Sequence, residues 1–177
     1  MSDRLVFDTT YLSNFARARK LDILESMTQG CERVIPNEVA QELRVGADKH
    51  PAIQAIFSLS WLAIIELDLP TVIQVAAFKG ELGGLPRQHL GESAVLALVK
   101  VHGGVGIIDD AAAKATARHH GLPVRGTLSL IILGHKQGLL KRAEAESLVD
   151  QLTATDMRLP VDGPGLFAWA YEQGLLP

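Results

Sequence analysis

The chain contains almost no cysteine: Cys31 is the single one among 177 residues. That excludes an intramolecular disulfide and a zinc site built on thiolates, and a reducing cytoplasm is the expected compartment. Long apolar runs are missing as well. Residues 72–78, 95–99 and 128–133 fall far short of the ~20 residues that span a bilayer, so they belong to a core and no membrane association is expected. The first residues meet charge again within a few positions, which leaves no room for the apolar centre of a signal peptide or for an amphipathic transit segment. Aromatic residues are only 5% of the chain, and Trp61, Trp169 and Tyr171 are too scattered for a base-stacking platform. Charge of one sign is not in large excess either. The 17 Lys and Arg against 20 Asp and Glu give a formal net charge of -3, so any polyanion must be met by a local basic patch or by bound cations.

Repeats, low-complexity tracts and linkers are absent, and the length suits one domain. With 47% hydrophobic and 21% charged residues, the composition is that of an ordinary globular protein. We expect a single domain over residues 1–158. A C-terminal appendage over 159–177, entered near Gly163-Pro164-Gly165, would pack on the domain or on a partner. Gly103-Gly104-Val105-Gly106 precedes a strand, whereas a dinucleotide fingerprint must follow one. A Walker-type loop and a Gly-x-Ser-x-Gly elbow are both missing.

Apolar spacing orders the elements. Leu5-Val6-Phe7 reads as a strand ending at Asp8, and helical spacing begins at Tyr11. Residues 33–35 form a second strand stopped by Pro36, with Asn37 as the N-cap of the next helix. Pro51 opens a helix through Phe57, residues 62–67 are extended, and Pro70 opens a helix through Phe78. Residues 80–89 read as an exposed loop. Leu90-Gly91-Glu92-Ser93 then opens a buried helix over 94–101. Residues 105–108 are a strand closed by Asp109-Asp110, 111–120 a helix, 123–124 a last short strand, and helices follow from Gly126-Thr127 and Arg142. This alternation predicts an α/β fold, a three-layer α/β/α sandwich with a mostly parallel central sheet.

In such a sheet the sites lie at the C-terminal edge of the strands. Asp8 and Asp109-Asp110 end strands there, Glu92 lies in the first turn of a helix, and Glu42 lies on the helix after the second strand. Each has an ordinary alternative: the aspartates stand where N-caps are expected, Glu92 favours a helix dipole, and Glu42 suits a solvated face. Taken together they are more informative. Two bare carboxylates ~4 Å apart repel by about 4 kcal/mol at an effective dielectric near 20, so a fold that gathers several must protonate some or bind a cation. Mg²⁺ or Mn²⁺ suits such oxygen ligands. Water held by such an ion is a better nucleophile, and the implied chemistry is metal-assisted phosphoryl transfer.

At these residues the chain resembles the PIN-domain family of metal-dependent ribonucleases, many of them toxins of prokaryotic toxin-antitoxin pairs. The matching pieces, in order, are Val6-Phe7-Asp8-Thr9-Thr10-Tyr11-Leu12, Val34-Ile35-Pro36-Asn37-Glu38-Val39-Ala40-Gln41-Glu42-Leu43, Leu90-Gly91-Glu92-Ser93-Ala94, and Ile107-Ile108-Asp109-Asp110 with Gly126-Thr127-Leu128. The resemblance implies a PIN-like fold and Mg²⁺- or Mn²⁺-dependent cleavage of single-stranded RNA. By the same resemblance Asp8, Glu42, Glu92 and one or both of Asp109 and Asp110 are metal ligands, Asp110 matching the last acid best. Thr10 is the hydroxyl that would orient Asp8 or the nucleophile. Arg17, Arg44, Lys114, Arg118 and Arg125 are candidate RNA contacts; the last pieces are most similar to a branch of prokaryotic PIN-like proteins with an Asp-Asp pair followed by Gly-Thr, and Lys114 departs from the arginine common in that branch. RNA, an antitoxin protein and a second copy of the chain are the expected partners. An inactive PIN-like binding subunit is the alternative. A haloacid dehalogenase-type phosphatase comes third, since it needs an acid where Thr10 stands.

Overall fold

The computed structural model describes residues 4–177. Among them, five strands form one sheet: β1 (Arg4–Phe7), β2 (Glu32–Pro36), β3 (Ala63–Ile65), β4 (Val105–Ile107) and β5 (Val124–Arg125). They lie in the order β3-β2-β1-β4-β5, and every pairing is parallel. The helices are α1 (Thr9–Arg17), α2 (Leu21–Met27), α3 (Asn37–Lys49), α4 (Leu69–Leu82), α5 (Leu90–His102), α6 (Ala111–His119), α7 (Thr127–Lys136), α8 (Arg142–Thr153) and α9 (Leu166–Glu172). The expected α/β sandwich is therefore present, with a sheet that is wholly parallel.

The strand order explains where a site can form. From β1 the chain steps outward to β2 and β3, then crosses back to β4 and β5 on the other side of β1. Right-handed crossovers in opposite directions place the first helices on one face and α4, α5 and α6 on the other. The order reverses between β1 and β4, and a crevice opens there at the strands' C-terminal ends. Asp8 leaves β1 at that point, its N–H bonded to the Ile107 carbonyl of β4 at 3.1 Å. Below the crevice the sheet is dry: Val6, Phe7, Val34, Ile35 and Ile107 are buried, as are Val95, Leu96 and Ala97 of α5 above them. Burying each large apolar side chain is worth about 1.5–3 kcal/mol, enough in sum to hold costly charges at the rim.

Several local expectations are corrected. The segment Pro51–Ser58 is a 3₁₀ helix rather than an α-helix. Helix α4 runs on through Gly80 to Leu82; the chain turns at Gly83 and Gly84, whose φ values are +69° and +81°. The exposed loop thus shrinks to 83–89. Asn37 is the first residue of α3, with Pro36 at the cap and no side-chain cap bond. Within the C-terminal stretch 159–177, and not at odds with its expected packing on the domain, helix α9 buries Leu166, Phe167 and Ala170 and contacts α7. Arg142 of α8 lies 4.5 Å over the Phe167 ring. Among the described residues no helix is long and apolar enough to cross a membrane.

Candidate metal centre

The acids are delivered to the crevice by backbone geometry. Asp8 is the N-cap of α1, extended at φ -83° and ψ 158°, and its Oδ1 accepts the Thr9 N–H at 2.7 Å. This cap bond accounts for its position but not for its burial: Asp8 is only 2% exposed. Burial first, then the charges of Glu92 and Glu42, hold its carboxyl well above the usual carboxylate range, against the opposing Thr9 and Thr10 N–H groups.

Glu42 reaches the same place from the second turn of α3. Its Oε1 accepts the Gly91 N–H at the start of α5 at 3.1 Å, and its Oε2 accepts the Thr9 hydroxyl. Burial is again the main cause that raises its carboxyl; the Thr9 hydroxyl lowers it, and Glu92 raises it further. Gly91 is required for this approach, since a Cβ there would lie 2.7 Å from Glu42 Oε2 and 3.2 Å from Thr9 Oγ1.

Glu92 sits in the first turn of α5, where the helix dipole favours an acid. Its charge acts on both Asp8 and Glu42. It also faces His89 and Asp110, and ligand atoms of these three residues all lie within 4.8 Å of one another. Asp110 caps α6 through Ala113 N–H at 2.8 Å. Glu92 is thus the hub that joins Asp8 and Glu42 on one side to Asp110 and His89 on the other.

The adjacent aspartates part company. Asp109 turns toward α7: its Oδ1 accepts the Thr127 N–H at 2.9 Å, its Oδ2 accepts the Thr127 hydroxyl, and Lys114 Nζ lies 3.5 Å from Oδ1. Both of its oxygens are engaged away from the cluster. The hydroxyl that touches the cluster belongs to Thr9, whereas Thr10 is exposed and contributes its N–H to Asp8. The sequence does not single out Thr9, because its hydroxyl meets Glu42 only through an approach across 33 residues.

The basic residues scatter. Arg17 pairs with Asp156 at 3.0 Å, Arg44 lies 5.2 Å over Phe57, Lys114 serves Asp109, and Arg118 is exposed on α6. Arg125 lines cavities with Leu5, Gly104 and Lys136, not with the acids. A groove of about 450 Å³ does open on Glu42, lined by Glu38, Gln41, Val45 and Leu90 with Lys49 and Arg87 as its cations. Arg87 was not singled out from sequence, because nothing in the loop pattern says which way it faces.

A divalent cation fits what these residues lack. Among the described residues no lysine or arginine pairs with Asp8, Glu42, Glu92 or Asp110. His89 Nδ1 is buried without a hydrogen-bond partner. Hard carboxylate oxygens with free lone pairs are the donors that Mg²⁺ and Mn²⁺ take. No curated protein matches the sequence significantly. A PIN-domain family model matches residues 4–163, so the chain belongs to the PIN-domain family, whose members are typically nucleases.

Proposed function

We propose that this protein is a divalent-metal-dependent ribonuclease that hydrolyses phosphodiester bonds of single-stranded RNA, with Asp8, Glu42, Glu92 and Asp110 as its metal-holding acids. The observation that carries the reading is the convergence of these four side chains, without a lysine or arginine partner, at the β1/β4 reversal of a parallel sheet. Bound there, Mg²⁺ or Mn²⁺ would supply charge neutralisation at the scissile phosphate and activation of water.

The chain's own residues do the rest. Thr9 and the Gly91 N–H hold Glu42 by both oxygens, which fixes its direction before any ligand arrives. The cap bond to Thr9 holds Asp8 in the same way. Such preorganisation avoids reorientation at the moment of reaction. Lys49 and Arg87 lie along the groove that reaches Glu42 and are placed to meet backbone phosphates, while Val45 and Leu90 offer it apolar wall. RNA-cleaving toxins of toxin-antitoxin pairs use this class of chemistry, and we place the protein among them, with an antitoxin protein and a second copy of the chain as partners.

Purified protein incubated with an RNA panel and Mn²⁺ or Mg²⁺ should cleave, and chelation should stop it. Asp8→Ala and Glu92→Ala should each abolish cleavage while circular dichroism shows an intact fold. Cleavage retained in both variants would sink the reading. A wild type that binds Mn²⁺ in isothermal titration yet cuts no RNA would instead support an inactive binding subunit.

A further inference from the structure

We propose that His89 is a nitrogen ligand of the same centre, binding through Nδ1 beside Glu92 and Asp110, so that the site takes a mixed nitrogen-oxygen set and favours Mn²⁺ over Mg²⁺. This rests on the metal centre of the proposed function and adds a residue that the acidic pattern does not contain.

His89 stands where a helix cap is expected but does not act as one. It precedes α5 with a left-handed backbone, φ +58° and ψ +17°, and makes no side-chain cap bond. A left-handed conformation is uncommon for a residue other than glycine, and such strain persists only where the surroundings enforce it. Here they do: the His89 carbonyl accepts both the Ser93 hydroxyl at 2.6 Å and the Ser93 N–H at 3.0 Å. The result is an imidazole held over the first turn of α5, with its side chain 19% exposed and Nδ1 buried and unpartnered.

The distances suit a shared cation better than a direct bond. Nδ1 lies 3.8 Å from Glu92 Oε1, beyond hydrogen-bond range. Two ligands of one octahedral ion at 2.0–2.1 Å are separated by about 3.0 Å when adjacent and about 4.2 Å when opposite. The His89–Glu92 spacing falls between these limits, and the i, i+3 relation across a helix start puts both donors on one side. Imidazole is a softer donor than carboxylate and raises affinity for transition metals more than for Mg²⁺.

One contact opposes this geometry. The exposed Gln88 amide nitrogen lies 3.3 Å from His89 Nε2, and donation from it would leave the ring proton on Nδ1. An exposed bond of that length is worth about 1 kcal/mol at most, far less than a metal-ligand bond. Turned over, the same amide would offer its oxygen to Nε2–H, the outer bond that metal-bound imidazoles commonly make, and would give up the Leu85 N–H that this oxygen accepts at 3.2 Å.

Pulsed electron paramagnetic resonance of the Mn²⁺-loaded full chain reads this directly, with no need for activity. The wild type should show coupling to a directly bonded nitrogen. His89→Gly, which suits the left-handed backbone, should lose that coupling and bind Mn²⁺ about tenfold more weakly, with Mg²⁺ affinity changed less. His89→Asn, also tolerant of that backbone, should lose the imidazole signal too, and thermal melts of both report folding. Mn²⁺ bound without nitrogen coupling in the wild type, or coupling retained in His89→Gly, overturns the inference and leaves the acidic centre standing. No Mn²⁺ bound at all overturns both.

Discussion

Glu42 and Asp109 are built almost alike. Each carboxylate accepts one helix-start N–H and one threonine hydroxyl: Glu42 from Gly91 of α5 and from Thr9, Asp109 from both groups of Thr127 at the head of α7. Each approach also depends on a glycine, for a Cβ at Gly91 would strike Glu42 Oε2 and one at Gly126 would strike Asp109 Oδ1, both at 2.7 Å. What differs is the company. Asp109 has Lys114 Nζ at 3.5 Å. Glu42 has Glu92 and Glu38: burial raises its carboxyl first and their charges raise it along with burial, against the lowering by the Thr9 hydroxyl and the Gly91 N–H. Hydrogen bonds therefore do not distinguish the two acids; the sign of the next charge does, and on the proposed function that sign is what would make Glu42 a metal-holding acid and Asp109 a helix cap.

The largest expected effect breaks this comparison on function. Glu42→Gln keeps the shape of the cap but halves its acceptors and removes charge from the cluster. Metal-dependent cleavage should fall at least about 100-fold, the loss that accompanies some 2.7 kcal/mol of transition-state stabilisation. Asp109→Asn should leave Mn²⁺ affinity within about threefold, because the oxygens of Asp109 do not face the cluster. Isothermal titration of both variants, with cleavage assays alongside, checks the pair; equal losses would show that the two acids share one role.

Stability should reverse the order. Asp109→Ala removes the cap of α7 and leaves the buried Thr127 unpaired, an expected cost of about 1–3 kcal/mol. At roughly 2–4 °C per kcal/mol for a chain of this size, thermal melts should show it clearly. Asp8→Asn, by contrast, should raise the melting temperature of the metal-free protein at neutral pH while abolishing metal binding, since it deletes a buried charge and can retain the bond from Thr9 N–H.

The same physics sets a pH dependence. Asp8 and Glu42 hold their protons more tightly folded than unfolded. Their contribution is most favourable below the unfolded carboxylate values of 3.8 and 4.5 and declines as pH rises through the raised folded values. Metal-free melting temperatures should therefore fall from pH 4 toward neutrality, apart from changes at other groups. Saturating Mn²⁺ should flatten the slope, because binding to the native state stabilises it, and Asp8→Asn should flatten it without metal. A slope identical in all three samples would count against the acidic cluster as its source.

Sequence carried the fold well for a definite reason. The apolar stretches in β1, β2, β4 and α5 are short and bounded by Asp8, Pro36, Asp109 and Gly103, so periodicity and punctuation agree. It carried the site less evenly. The placement of Asp8, Glu42, Glu92 and Asp110 at one edge was legible because strand ends and the first two helical turns confine them there. His89 and Thr9 were not, since their placement depends on a left-handed backbone and on an approach across 33 residues. Between Asp109 and Asp110 only the family resemblance favoured one, Asp110; spacing alone did not choose. Adjacent side chains at a strand end diverge, and only the position of Thr127 decides which of them is drawn away.

The smallest expected effect sharpens the comparison most. Lys114→Met removes the cation beside Asp109 and leaves its two bonds from Thr127 intact. Because the lysine is about one-third exposed and its nitrogen is 3.5 Å away, the pair is worth only about 0–1 kcal/mol. The variant should melt within a few degrees of the wild type at neutral pH. Combining Lys114→Met with Asp109→Asn in a double-mutant cycle isolates the charge pair from the cap, and the coupling energy should stay below about 1 kcal/mol. If Lys114→Met instead weakens RNA binding while the melting temperature stays fixed, the lysine serves the substrate rather than Asp109.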